Sequence, residues 1–370
     1  MTFCEFLSRF DKPIRKSLVS SLPYLASFVY SFGRKLFLKK LVEEKPSQVD
    51  IPEKLSKEFW GIKFRSPLFN AAGMFKDGKG YKLACLQGAG AFLAGTVTPE
   101  PKKGNIGKGI CHPFLPYPLS GSSSNWLGLP NPGLKAVLDI LKSIDKKPGV
   151  PVGVSLSSDS DALSDLRTFV QALFFVESYN IDFIEINESC PNVQHCGRDY
   201  TALDDNFVGR LEFISKNFLH QRRRNLPVIV KLSNDFAIEF VPILIDLLIE
   251  LGYDGVNFGN TSTNYSEISN LINPAERAAF NFFVGNFGGG VSGVPLKPRS
   301  SLLTEAAVKY LQTKVLSREF NIIRTGGITS HEDILQSQRV GVSLFQWFTG
   351  YFINFEKNGH RLYKELFEKL

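Results

Sequence analysis

The chain has 370 residues, 43% hydrophobic and 21% charged, which excludes a disordered chain and leaves room for one large α/β domain with an appendage, or two domains. Five cysteines, Cys4, Cys85, Cys111, Cys190 and Cys196, are odd in number and lack paired spacing, which argues for a reducing compartment and against a disulfide framework or a zinc set. Of the net charge of +7, a share of +6 lies before residue 42, where eight basic residues meet only Glu5 and Asp11; the body is close to neutral, which argues against a nucleic-acid groove on it.

Residues 1–45 predict two or three short helices. Phe3, Phe6, Leu7 and Phe10 share a helical face. Asp11 is placed to cap a helix whose first turn holds Pro13, and Ser21 to do so before Pro23. Leu25, Phe28, Val29, Phe32 and Leu36 then form an aromatic stripe beside Arg34, Lys35, Lys39 and Lys40. No run reaches the ~20 apolar residues of a bilayer span, and no secretory cleavage site follows. A basic helix with an aromatic face lies on membranes; the alternative is packing on the protein's own body.

After a linker at Lys45–Pro52, short apolar runs alternate with helix-like segments. The runs are Pro67–Ala72, Ala91–Val97, Val152–Leu156, Phe183–Asn187, Val228–Leu232, Gly255–Gly259, Ile322–Thr325 and Ser343–Trp347. Eight such repeats predict an α/β fold, a (β/α)8 TIM barrel with an N-terminal helical extension. Nearly every run ends in glycine or polar residues, where such barrels place their chemistry. Two long segments, 99–133 and 264–300, are expected to build the site.

Cys190, followed at once by Pro191, lies between Asn187 and Asn192, an arrangement suited to a flat ligand rich in carbonyl and N–H groups; a buried structural thiol is the plain alternative. Lys76 and Lys231 lie at or just past run ends, and a lysine inside a barrel is costly without an anionic partner. Gly289, Gly290 and Gly293, Thr325-Gly326-Gly327 before the capping pattern Ser330 to Asp333, and Thr349-Gly350 together read as a phosphate grip. His112, His195 and His331 show no ligand spacing, so no metal site is expected.

These pieces resemble the dihydroorotate dehydrogenase family over residues 46–370. The resemblance is carried by Asn70-Ala-Ala-Gly-Met-Phe-Lys76, Gly95-Thr-Val-Thr-Pro99, Asn125-Trp-Leu-Gly-Leu-Pro-Asn131, Asn187-Glu-Ser-Cys-Pro-Asn192, Val230-Lys231, Asn260-Thr261, Gly289-Gly-Val-Ser-Gly293, Thr325-Gly-Gly327 and Phe348-Thr349. It implies an FMN enzyme that oxidises dihydroorotate to orotate in pyrimidine (UMP) biosynthesis. Carried over residue by residue, Ala72, Gly73, Thr96, Ser155, Asn187 and Lys231 approach the flavin. Gly293, Gly327, Phe348 and Thr349 hold its phosphate. Lys76, Asn125, Leu127, Gly128, Leu129, Asn187, Asn192, Asn260 and Thr261 surround the pyrimidine, and Cys190 is the base.

The family divides by oxidant, and this chain mixes the two patterns. The helical extension, Gly-Thr-Val-Thr-Pro and Gly-Gly-Val-Ser-Gly resemble the membrane-associated quinone type (class 2), which carries a serine base. Cys190, Ser155 and Gly128-Leu-Pro-Asn131 resemble the soluble fumarate type. The quinone type also has an arginine where this chain has Gly109 and a tyrosine at Phe348. The expected oxidant is a quinone, with residues 1–45 as the membrane and quinone-access segment and residues 46–370 as the catalytic barrel. The alternatives are a fumarate- or NAD-dependent relative and a membrane-associated flavin barrel without this activity. The expected location is peripheral, on the cytoplasmic face of a bacterial inner membrane, because an acidic-poor, arginine- and serine-rich leader is lacking; the mitochondrial inner membrane is the alternative.

Overall fold

The eight apolar runs become eight parallel strands in the computed structural model, which describes residues 1–160, 162–188 and 203–370. They are β1 (Leu68–Asn70), β2 (Phe92–Val97), β3 (Val152–Leu156), β4 (Phe183–Asn187), β5 (Val228–Ser233), β6 (Gly255–Asn260), β7 (Asn321–Thr325) and β8 (Leu344–Trp347). The hydrogen-bonded order runs from β1 to β8 and then back through β7 to β2. The seam between β1 and β2 is closed by Gly73 N–H donating to Gly95 O at 2.6 Å and by the side chain of Asn70. A helix follows each strand, so each connection returns the chain to the same end of the barrel.

Alternation along the strands sorts the interior into layers. Phe69, Leu93, Phe183, Ile229, Ile323 and Leu344 form an apolar plug with Trp60 and Phe64, which come from the short hairpin Lys57–Phe59 and Ile62–Phe64. Trp60 Nε1 donates to Asp254 O at 2.9 Å and pins this hairpin. One step further along β4, β5 and β8 the inward positions turn polar, as Glu185, Lys231 and Gln346.

The two long segments meet although they are far apart in the chain. Gly290–Gly293 pairs antiparallel with Ser122–Asn125, which pairs with Phe114–Tyr117. This three-stranded sheet roofs the barrel beside the helices Tyr265–Leu271 and Arg277–Phe287.

Residues 1–45 form two long helices, α1 (Phe3–Ser21) and α2 (Pro23–Glu43), and not the two or three short ones expected. Asp11 does not cap a helix: α1 runs through it and through Pro13. Its carboxylate accepts instead from Tyr30 at 2.9 Å and pairs with Arg15 at 3.0 Å. Ser21 is not a cap either, because α2 starts at Pro23 behind Leu22 with no side-chain cap. The true capping box is Thr2 with Glu5. α1 is tied to the barrel's last long helix, Thr349–Asn358, through Lys12 and Arg15 to Glu356 at 2.7 and 2.8 Å. α2 buries small residues, Ala26, Ser27 and Ser31, and Ser31 both donates to Phe114 O and accepts from Phe114 N–H. Phe28 and Phe32 of α2, like Phe6 and Phe10 of α1, face solvent at 49–63% exposure. The aromatic stripe is therefore not packed on the body.

Candidate functional site

A cavity opens where the strands end, under the roof. Its lining takes in Ala72 and Gly73 after β1, Thr96 in β2, Asn187 in β4 and Lys231 in β5. Asn260 and Thr261 come from the end of β6, Gly327 from the end of β7, and Phe348 and Thr349 from the end of β8. The roof adds Asn125, Leu127, Leu129 and Gly293, and Lys76 closes one side. Fifteen residues named from the sequence thus converge on one space.

Two others stand behind the lining. Ser155 is fully buried, and its hydroxyl lies 3.0 Å from Thr96 Oγ1. Gly128 takes a positive φ of 69°, and a Cβ there would meet Asn105 Oδ1 at 2.2 Å, so it shapes the roof loop by close packing. Cys190 and Asn192 lie outside the described residues.

A chain of amides crosses the cavity. Asn260 Nδ2 donates to Asn187 Oδ1 at 2.9 Å, and Asn187 Nδ2 donates to Thr96 Oγ1 at 3.0 Å. Asn260 Oδ1 accepts from Thr261 N–H at 2.9 Å. Thr261 Oγ1 is buried with no hydrogen-bond partner among the described residues. A buried hydroxyl without a partner is costly, and this one belongs to a residue of the cavity wall. Behind this row, Asp235 accepts from Thr263 N–H at 2.7 Å and holds the loop after β6.

Lys231 is 3% exposed. Its Nζ donates to Gln346 Oε1 at 2.9 Å and lies 3.4 Å from Glu185 Oε1. This supplies the anionic partner that a barrel lysine needs. Neither Glu185 nor Gln346 was picked out from the sequence. The available signal was alternation: each lies two residues before a proposed site position, Asn187 and Phe348, and so shares its inward face.

The far end of the cavity suits a phosphate. Helix Thr349–Asn358 starts there with no side-chain cap, so its first N–H groups are open to an anion. Gly293 and Gly327 have φ of 106° and 70°, and a Cβ on either would strike backbone at 2.3 or 2.5 Å. Helix His331–Val340, after β7, carries the expected capping box of Ser330 and Asp333. A buried cation at one end, the Thr261 hydroxyl without a partner among the described residues on the wall and an uncapped helix at the other end fit a flat cofactor with a phosphate tail, as a flavin nucleotide has.

Gly109 has a local explanation. With Lys108 it forms the two-residue turn of the hairpin Ile106–Gly107 and Ile110–Cys111, and the two residues have φ of 75° and 49°. Such turns favour glycine at this place. A cation reaches this side from α2 instead: the guanidinium of Arg34 lies 5.6 Å over the ring of Phe114, a residue of the cavity wall. Burial lowers Arg34 to about 10.

Comparison with known proteins places the chain. The sequence model of the family described as Dihydroorotate dehydrogenase matches residues 54–370. A protein of Christiangramia forsetii named Dihydroorotate dehydrogenase (quinone) is 28% identical over 356 residues, covering 94% of this chain and 92% of its own. One of the same name from Shewanella woodyi is 28% identical over 313 residues, with 84% of each chain covered. The crystal structure of DHODH from Eimeria tenella in complex with ferulenol superposes with a TM-score of 0.73 at 20% identity, over 91% of this chain and 89% of that one; at that identity the likeness establishes the fold. With the barrel, the cavity and a family match running from the barrel's first hairpin to the last residue, the chain belongs to the dihydroorotate dehydrogenase family.

Proposed function

We propose that this protein is a quinone-dependent dihydroorotate dehydrogenase, oxidising dihydroorotate to orotate in pyrimidine biosynthesis. The family is flavin-dependent, and the flavin here is read as FMN. The observation that carries the reading is the single cavity joining the amide row Asn187–Asn260–Thr261 to Lys231 and to the uncapped helix at Thr349.

The chemistry a bound flavin supplies is acceptance of a hydride from the substrate carbon and delivery of two electrons to an oxidant. The protein's own groups do the rest. Lys231 holds a fixed positive charge beside the cavity, where negative charge is stabilised without reorganisation. Gly293, Gly327 and the helix start at Thr349 receive the phosphate. Asn187 and Asn260 present amide groups to the flat substrate, Thr261 offers its unused hydroxyl, and Lys76 balances the substrate carboxylate. Cys190 is assigned the proton at its Sγ, on the family resemblance. A free thiol, with a pKa of ~8.5, is only partly ionised near neutrality, so turnover is expected to rise with pH.

Residues 1–45 are read as the segment that meets the membrane and admits the quinone. No helix among the described residues is long and apolar enough to cross a membrane, and the outward aromatic rows of α1 and α2 suit a surface contact. Arg34 is the cation offered on this side to an acceptor carbonyl. The deciding experiment is anaerobic reduction by dihydroorotate, followed by reoxidation with a short-chain quinone, fumarate or NAD. Bleaching of the flavin by dihydroorotate and fastest recovery with quinone are expected. Faster recovery with fumarate or NAD would overturn the choice of oxidant, and no bleaching would overturn the substrate.

A further inference from the structure

Glu185 is a carboxylate in the middle of β4, pointing into the barrel at 1% exposure. Directly beneath it the interior is apolar, with Phe183, Ile229, Ile323 and Leu344. Packing alone would be served by an aliphatic residue here, because a buried ion pair is seldom more stabilising than the hydrophobic side chains that could replace it. The surroundings of Glu185 are nevertheless built for a charge. Its Oε2 accepts from Asn257 Nδ2 at 2.9 Å and from Gln346 Nε2 at 2.7 Å. Its Oε1 makes no hydrogen bond among the described residues and faces Lys231 Nζ at 3.4 Å, an ion pair without hydrogen-bond alignment.

Both amides are fixed in orientation by what they do on their other side. Gln346 uses Oε1 to accept from Lys231 while its Nε2 donates to Glu185. Asn257 uses Oδ1 to accept from Thr325 Oγ1 at 2.9 Å. Neither can turn over without placing like against like. The carboxylate is therefore held at a set distance from the lysine. Lys231 and Gln346 reach the cavity wall, whereas Glu185 lies one layer behind it.

We propose that Glu185 is a positioning residue that sets how much of the Lys231 charge a bound flavin feels, and so tunes the flavin's reduction potential. The inference rests on the flavin reading of the cavity. In a site shielded from water, a carboxylate 3.4 Å from an ammonium cancels much of the ammonium's field at longer range. With Glu185 in place, the cavity next to Lys231 is less positive than the lysine alone would make it. Neutralising Glu185 strengthens the positive field, favours the more negative, reduced form of the cofactor and raises its potential.

The test compares the full-length holoenzyme with Glu185→Gln and Glu185→Asp, measuring flavin content and the midpoint potential against a reference dye. For Glu185→Gln the expected result is at least a tenfold shift of the equilibrium toward reduced flavin, which for a two-electron couple is about 30 mV upward. Glu185→Asp keeps the charge but draws it back by one methylene, so its upward shift should be less than half as large. An unchanged or lowered potential in Glu185→Gln, or equal shifts in both variants, overturns the proposal. If Glu185→Gln fails to fold, the sign of the shift in Glu185→Asp decides alone. A wild-type protein that binds no flavin would instead overturn the cofactor reading, which flavin content reports separately.

Discussion

The side-chain amide of Asn70 takes the place of two backbone hydrogen bonds to Leu93, donating from Nδ2 to its carbonyl at 2.7 Å and accepting at Oδ1 from its N–H at 3.2 Å. Both residues are buried, and the contact joins β1 to β2 where the barrel closes. Replacing Asn70 with Ala leaves two backbone groups of Leu93 without these partners. At ~1–3 kcal/mol for each unsatisfied group, a loss of about 2–6 kcal/mol is expected. Urea unfolding should show a lower midpoint with an unchanged slope. A loss below about 1 kcal/mol would mean that the seam closes without this side chain. Ala71 to Gly73 follow directly and line the cavity, so cofactor retention should fall together with stability.

The strands were legible because burial on both faces makes each a short apolar run, and the polar residue ending each run marks where water or ligand begins. All eight appear within two residues of their expected ends. The helix boundaries of the N-terminal segment were not legible. Asp11 and Pro13 carry a local start signal, but Asp11 is engaged by Tyr30 and Arg15 from outside that local stretch or one turn on, and these contacts override propensity. Glu185 and Gln346 escaped notice for a different reason. Each is polar inside an apolar run, and only the registry of three strands shows that both meet Lys231.

Asp333, at the start of the helix after β7, contributes to acid stability beside the proposed phosphate end of the site. Burial pushes its carboxyl up, but bonds from Lys297 and from the N–H groups of Thr329 and Ser330 outweigh this and hold it below the usual aspartate range. A group with a depressed folded value contributes stability above its unfolded pKa of about 3.9, and the contribution disappears as pH falls through the folded value. Asp333→Asn should therefore be less stable than wild type at pH 7, and the two stabilities should converge as pH is lowered below about 4. Denaturant midpoints measured from pH 7 to pH 3 test this. A constant gap between the two proteins across that range would show that the carboxylate's charge is irrelevant.

The outward aromatic row of α2 gives a second handle on the membrane reading. Phe28 and Phe32 are 51% and 63% exposed, so Phe28→Ser with Phe32→Ser removes little from the folded core. If both rings enter a lipid surface, each contributes up to about 1.5–3 kcal/mol. Partition into anionic phospholipid vesicles should fall at least about tenfold. Turnover with a water-soluble short-chain quinone should stay within about twofold of wild type, since no cavity residue changes. Unaltered vesicle partition would remove these residues from any membrane contact.

Thr261 offers a test of the substrate end that separates binding from stability. Its Oγ1 is buried and has no hydrogen-bond partner among the described residues, while its backbone N–H is held by Asn260 Oδ1 at 2.9 Å. Gly290 leaves room for this hydroxyl, since a Cβ there would come within 1.9 Å of Oγ1. Thr261→Val keeps the shape and removes only the oxygen. Because that oxygen makes no internal bond, the variant should be as stable as wild type or slightly more so. If the hydroxyl meets the bound pyrimidine, one hydrogen bond of about 0.5–1.5 kcal/mol is lost and KM for dihydroorotate should rise roughly two- to tenfold. The flavin spectrum should not move, since Lys231 and the proposed phosphate end are untouched. A destabilised variant with unchanged KM would reverse the assignment and make Thr261 a structural residue of the β6 loop.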